Sequence, residues 1–149
     1  MSSLATDPQF KVYVACSVVL SLQMLFLAGF TAARRSKVKS FMNPEDAKVS
    51  FEGAKLAEGA EHPEVARIQR AHRNLMESLP MFFALGLVAV LAGASPLGVK
   101  ICLGAFTGAR VLHMIVYLNS LQPWRTIMYA IGTFALLGLS VLSVLAILG

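Results

Sequence analysis

Three short runs of the 149-residue chain carry side chains capable of chemistry. Arg70, Arg73, Asn74 and Glu77 stand at i, i+3, i+4 and i+7, the spacing of one helix face. Arg110, His113 and Tyr117 repeat that pattern at i, i+3 and i+7. Arg125, Thr126 and Tyr129 follow Gln122-Pro123, which reads as the start of a last helix. Four arginines therefore meet one nearby acid, Glu77. Unpaired cations away from water are costly, so the set asks for an anionic ligand, and a small molecule bearing carboxylates fits it. An anion developing at the last helix's N-terminus would be stabilised by the helix dipole, free first-turn amides, the Arg125 guanidinium and the Thr126 hydroxyl. A thiol held there would ionise more readily than at its reference pKa of about 8.5.

Each feature also has a purely structural account. Glu77 and Arg110 could form a buried salt bridge that only ties two helices together. His113 alone reads as a satisfied core histidine, and Tyr117 and Tyr129 as aromatics at a membrane interface. One histidine is no metal site. Cys16 and Cys102 have neither metal-ligand spacing nor the even framework of a disulfide scaffold, and read as buried small apolar residues. The structural account still leaves Arg70, Arg73 and Arg125 without acids.

The elements that must position these residues are membrane helices. Apolar residues make up 56% of the chain, charged ones only 14%, and the mean hydropathy is +0.67. A soluble domain carries nearer a quarter charged residues. Of the 21 charged residues, 16 lie between Arg34 and Glu77, nine basic and seven acidic. The net charge of +5 thus forms no basic stripe on a polar domain, and a nucleic-acid partner is excluded. Spans need about 20 mostly apolar residues. Four are predicted, over residues 12–33, 67–93, 97–119 and 124–148, in one domain covering 1–149. The second crosses only if its helix extends back through Glu77, Asn74, Arg73 and Arg70. Pro63, Pro96 and Pro123 mark helix first positions, and Asn43-Pro44-Glu45-Asp46 opens a short helix in the loop 34–66. Pro80 is expected to bend the second span. The first span is too long, with the wrong flanks, for a cleaved signal peptide.

Arg34, Arg35, Lys37 and Lys39 directly follow the first span and make the loop 34–66 cytoplasmic by the positive-inside rule. The polar half of span 2, the inner half of span 3 and the start of span 4 then fall in one leaflet. Charged groups at membrane depth usually face the bundle interior and mark a functional site.

Three stretches resemble a known family. Asn43-Pro44-Glu45-Asp46 after the basic turn, Arg67 through Glu77 (Arg-Ile-Gln-Arg-Ala-His-Arg-Asn-Leu-Met-Glu) and Ala109 through Leu118 (Ala-Arg-Val-Leu-His-Met-Ile-Val-Tyr-Leu) are similar to signatures of the MAPEG family, the membrane-associated proteins in eicosanoid and glutathione metabolism. The resemblance runs over nearly the whole chain in order and spacing. It implies an all-α, integral-membrane four-helix bundle, a homotrimer, and glutathione bound between subunits near the cytoplasmic face. The glutathione contacts it implies are Arg35, Arg73, Asn74, Glu77, His113, Tyr117, Arg125, Thr126 and Tyr129, with Arg70 and Arg110 shaping the same pocket. Arg125 would stabilise the thiolate, Thr126 would supply the neighbouring hydroxyl, and Asp46 matches a loop aspartate proposed to assist isomerisation.

The function implied is a glutathione transferase or peroxidase acting on a lipophilic electrophile or lipid hydroperoxide that arrives through membrane lipid, along a groove lined by the first and last spans. The alternatives are a glutathione-dependent prostaglandin-E-synthase-type isomerase acting on an eicosanoid, and a non-catalytic membrane scaffold or lipid-binding regulator. The membrane would be the endoplasmic reticulum in a eukaryote and the inner membrane in a bacterium. Three departures stand out: Leu75 replaces a family acid, the loop before the last span is one residue shorter and carries Trp124, and the loop between Asp46 and Arg67 is longer.

Overall fold

A computed structural model describes residues 4–50, 55–56 and 60–149. After a 3-10 turn at Leu4–Thr6 come five helices: α1 (Pro8–Val38), α2 (Pro44–Ser50), α3 (Pro63–Leu91), α4 (Pro96–Leu118) and α5 (Trp124–Leu148). The four long ones are long and apolar enough to cross a membrane. Two strand fragments, β1 (Ser40–Phe41) and β2 (Lys55–Leu56), pair in parallel with Ser40 opposite Lys55 and Phe41 opposite Leu56. Nothing in the sequence pattern announces that pair. The predicted loop helix is present as α2, while residues 51–54 and 57–59 of the expected loop lie outside the described residues.

Helix boundaries differ from the hydropathy boundaries for a local reason. Apolarity in α1 ends at Ala33, but no residue there breaks a helix. The helix starts where Asp7 caps it, accepting from Gln9 N at 2.6 Å and Phe10 N at 3.1 Å ahead of Pro8. It stops at Lys39, which turns left-handed (φ 53°). At 31 residues it is about 46 Å long, more than the ~30 Å hydrocarbon core, so its end stands in the headgroup zone. Arg34, Arg35 and Lys37 therefore sit on a helix rather than in a loop. The second long helix, α3, begins at Pro63, the first position its proline marks and four residues ahead of the predicted span, and runs unbroken through Pro80. It closes with Gly93 at φ 68°, Ala94 N donating to Ala89 O and Gly93 N to Val90 O, a Schellman ending. At the end of α4, Ser120 takes the same left-handed role at φ 61°, with Leu121 N bonded to Val116 O. In the last span Pro123 sits just outside the helix, not at its first position.

Helices α3 and α4 form the middle of the bundle, with α1 packed on both from one side and α5 on both from the other. Phe82 stacks on Phe106 at 4.7 Å between centroids and meets Tyr13 at 6.2 Å. Gly86 lets Tyr13 approach: a Cβ there would lie 3.0 Å from the ring. Three buried hydroxyls return to their own helix, Thr31 to Leu27 O, Thr107 to Leu103 O and Ser143 to Leu139 O, which spares the hydrocarbon those polar groups. Leu25 (69% exposed) and Phe134 (71%) face outward, as a lipid-embedded surface requires. Both cysteines are free and half-buried rather than fully buried, because each lies on the flank of its helix, where Cys102 Sγ fills the notch of Gly138.

Phe82→Ala should lower stability in detergent micelles by about 3 kcal/mol or more, through lost packing. Lipid-facing Leu25→Ala should stay within about 0.5 kcal/mol. Equal losses in thermal unfolding would contradict this division between core and lipid face.

Candidate functional site

Alternating helix direction brings the polar runs to one end of the bundle. Asn74 and Glu77 lie in the first half of α3, Arg110, His113 and Tyr117 in the second half of α4, and Arg125, Thr126 and Tyr129 at the start of α5. The end of α1 joins them. Arg34 pairs with Glu64, and Arg35 pairs with Glu61 through Nε at 3.0 Å and through Nη2, latching α1 to the start of α3. Arg67 donates to Ser120, tying α3 to the α4–α5 turn.

Arg110 is the most deeply placed cation, 2% exposed. The Glu77–Arg110 bridge of the structural account does not form. Instead Arg110 Nη1 donates to Asn74 Oδ1 at 3.2 Å, and its Cζ lies 5.0 Å from the Phe106 ring centroid and 5.2 Å from that of Tyr129. Two ring faces and an amide stand where a carboxylate would otherwise be. Gly132 of α5 makes the room, since a Cβ there would lie 3.0 Å from Arg110 Nη2 and 3.1 Å from Nε. Behind it, Gln23 of α1 donates to the Arg110 carbonyl at 3.0 Å. Buried Nε has no hydrogen-bond partner.

Above Arg110, buried His113 contacts Tyr117 (5.4 Å between centroids) and Tyr129 (6.3 Å). Arg125 lies over Tyr117 with Cζ 4.9 Å from the ring centroid. With its oxygen turned toward the guanidinium, the Gln122 carboxamide accepts from Arg125 Nη2 at 2.6 Å and Nε at 3.1 Å. Thr126 Oγ1 stands 3.3 Å from the other head atom of that amide. One expectation needs correction: the Arg125 and Thr126 amides in the first turn of α5 are not free. Arg125 N donates to Leu121 O and Thr126 N to Pro123 O, because the turn before the helix folds back on itself. The side chains and the dipole remain to meet an anion.

Two adjoining clefts result. The upper, of about 290 Å³, is lined by Asn74, His113, Tyr117, Arg125, Thr126 and Tyr129. The lower, of about 210 Å³, runs between α3 and α5 past Arg110 and shares Asn74 and Tyr129 with the first. Glu77 lines the lower one, and Arg70 and Arg73 stand exposed on the same α3 face. Among the described residues Arg70, Arg73 and Glu77 make no ion pair. Arg35 and Asp46 line neither cleft: Arg35 is engaged by Glu61, and Asp46 lies on α2, bonded to Asn43 Nδ2 at 3.0 Å. Leu75, at the position of the absent family acid, is 3% exposed within the apolar core. Phe106, Gly132, Gln23 and Gln122 belong to the site's support although sequence spacing did not mark them. Gly132 is legible only once the guanidinium is seen against it.

Fold and site together define an integral-membrane helical bundle with a cation-rich, acid-poor cleft at one end. The chain belongs to the MAPEG family, whose model matches residues 13–145. It is 33% identical over 132 residues to prostaglandin E synthase of Homo sapiens, covering 88% of this chain and 85% of that one. Against prostaglandin E synthase of Mus musculus the identity is 35% over 124 residues (83% and 79% of the two chains). Microsomal glutathione S-transferase 1 of Homo sapiens is 29% identical over 134 residues (89% and 86%).

Arg110→Met removes a buried charge that rings and an amide, not an acid, surround, at similar side-chain volume. Stability in micelles should hold or rise by about 1 kcal/mol. A loss of about 3 kcal/mol or more would mean that the Asn74 and ring contacts outweigh the cost of burying the charge.

Proposed function

We propose that this protein is a glutathione-dependent membrane enzyme that activates the glutathione thiol for attack on a lipophilic electrophile or peroxide. The observation carrying this reading is the cluster of cations faced by rings and amides in place of acids, at the end of a membrane bundle. Such a cluster is electrostatically incomplete without an anion, and glutathione carries a net negative charge and a thiol. Its family membership and a relative named for glutathione transfer support the same ligand.

When bound, glutathione supplies the nucleophilic sulfur. Arg70 and Arg73, exposed and unpaired by acids, would hold its carboxylates, and Asn74, Glu77, His113, Tyr117 and Tyr129 would complete its recognition. Arg125 and Thr126 would face the sulfur. Gln122 and the Tyr117 ring fix the Arg125 guanidinium in advance, so little reorganisation is needed as charge develops. A thiol pKa lowered by one to two units corresponds to about 1.4 to 2.7 kcal/mol, within reach of one arginine in a poorly solvated site. Arg35 would contribute across a subunit boundary, in a homotrimer whose neighbouring copy covers the exposed α3 face. The basic end of α1 supports a cleft that opens toward the cytoplasm, by the positive-inside rule.

A second reading, isomerisation of a prostaglandin endoperoxide, is favoured by the relatives named prostaglandin E synthase at 33–35% identity. In that case Asp46 would assist from the loop.

Arg125→Ala should cut conjugation of a chlorinated nitrobenzene by about a hundredfold or more while glutathione affinity changes only a few-fold. Unchanged turnover would remove Arg125 from the thiolate role. Arg73→Ala and Glu77→Gln should instead weaken glutathione binding in a thiolate-absorbance titration, and wild-type affinity in both would refute the pocket. Turnover of prostaglandin H2, a lipid hydroperoxide and the nitrobenzene by the same preparation separates the two readings.

A further inference from the structure

We propose that the crevice between α1, the start of α3 and the end of α4 holds the headgroup of one zwitterionic aminophospholipid, with Arg34 and Arg67 on its phosphodiester and Glu64 on its ammonium. The crevice shares no lining residue with the clefts at Arg110 and Arg125, and the proposal goes beyond the glutathione reading without resting on it. Its volume is about 460 Å³, and it opens between Phe30 and Arg34 of α1, Glu64 and Arg67 of α3, and Asn119 after α4, with buried Ile68 toward the core. Helical turning separates it from the subunit boundary proposed above. Arg34 stands about 100° around α1 from Arg35. It shares the flank of Phe30 and Gln23, and Gln23 reaches the Arg110 carbonyl of α4. On α3, Ile68 lines up with buried Leu75 and Phe82, whereas Arg70, Arg73 and Glu77 turn the other way.

The charges in the crevice are only partly used. Arg34 gives Nε and Nη2 to a single oxygen of Glu64, Oε2. Arg67 gives Nη1 to the Ser120 hydroxyl, and no carboxylate pairs with it among the described residues. A guanidinium carries five N–H donors in a fork that suits phosphate, so both arginines keep donors for a phosphodiester. The Glu64 side chain is 49% exposed and keeps Oε1 for an ammonium. Two cations around one acid complement a phosphate tethered to an ammonium, and a choline, which has no N–H, cannot donate to Glu64. Depth points to a lipid rather than to a soluble phosphate. Arg34 directly follows the apolar run of α1, so the crevice stands in the headgroup zone. One and two turns further into the membrane, exposed Phe30 and Phe26 stack at 5.6 Å between centroids and offer an acyl chain a flat wall.

The test is native mass spectrometry of the full chain released from detergent micelles, with dioleoyl phosphatidylethanolamine, phosphatidylcholine and phosphatidylglycerol offered in equal amounts. One phosphatidylethanolamine per chain should be retained, about two- to fivefold more than phosphatidylcholine, the worth of one exposed ammonium–carboxylate pair. Arg67→Gln should lower retention of both about tenfold. Glu64→Gln should make the two equal, a ratio read within one preparation that partial unfolding does not imitate. In nanodiscs, a phosphatidylethanolamine with a diazirine near the carboxyl end of its acyl chain should cross-link to the 26–34 segment. Retention of phosphatidylglycerol above phosphatidylethanolamine would overturn the proposal, since net charge and not the zwitterion would then be recognised. So would displacement by glycerophosphoethanolamine, which would make the ligand a soluble phosphodiester. Retention unchanged in Arg67→Gln, or a preference unchanged in Glu64→Gln, would remove those residues from the site and the proposal with them. Protein–protein cross-links from a neighbouring copy into the 26–34 segment in place of lipid would make the occupant protein, which also overturns it.

Discussion

A guanidinium sealed among helices, with no carboxylate in ion-pair reach among the described residues, is the constraint around which this molecule is arranged. Arg110 cannot lose its charge in a protein, so its surroundings must meet the charge by other means. They do so with two ring faces, one amide oxygen and the absence of a Cβ at Gly132. These partners come from three elements: Phe106 from α4 itself, Asn74 from α3, and Tyr129 and Gly132 from α5. The bundle's middle pair and its outer helix α5 are thereby fixed relative to one another at the depth of the site. Gln23 extends the arrangement to α1 by holding the Arg110 carbonyl. An ion pair at this point would have satisfied the same helices and left nothing to attract a ligand.

The polar end and the apolar end of the bundle are closed by different physics. At the polar end ion pairs and charge-assisted bonds do the work: Arg34 with Glu64, Arg35 with Glu61, and Arg67 with Ser120. These groups lie near helix ends in the headgroup zone, where water lowers the cost of the charge. At the other end the α3–α4 turn closes through backbone bonds and the left-handed Gly93, with Gln9 of α1 reaching the Ala94 carbonyl at 3.4 Å. One cleft wall therefore carries both ionic groups and hydrocarbon. The wall passes from ionic to hydrocarbon within a few helical turns, and Asn74 and Tyr129 stand where it changes.

Leu75 shows how a motif departure is to be weighed. In sequence it reads as a missing acid beside Asn74. In space it turns into the core while Asn74 faces the clefts, so neighbours in the chain serve opposite sides of one helix. The substitution bears on packing more directly than on ligand binding. Arg35 teaches the reverse lesson: a residue whose charge suits an anion is held by Glu61, 26 positions away, a partner that spacing does not reveal.

By itself the sequence determined what depends on local pattern and bulk transfer energy. Hydropathy over about 20 residues set the number of spans, the placement of Pro63 and Pro96 set two of the helix starts, and helical spacing gathered Arg70, Arg73, Asn74 and Glu77 on one face. Counting directions through four spans then put every polar run at the same end. Tertiary structure alone decided what depends on distances between helices. It chose amide and rings over Glu77 as the surroundings of Arg110, gave Gly132 its purpose, and divided the polar end into two clefts. The physical reason is common to all of these. Which of several possible partners meets a buried polar group is settled at the scale of a hydrogen bond, about 3 Å, and helical periodicity states the face of a residue but not its distance from the next helix.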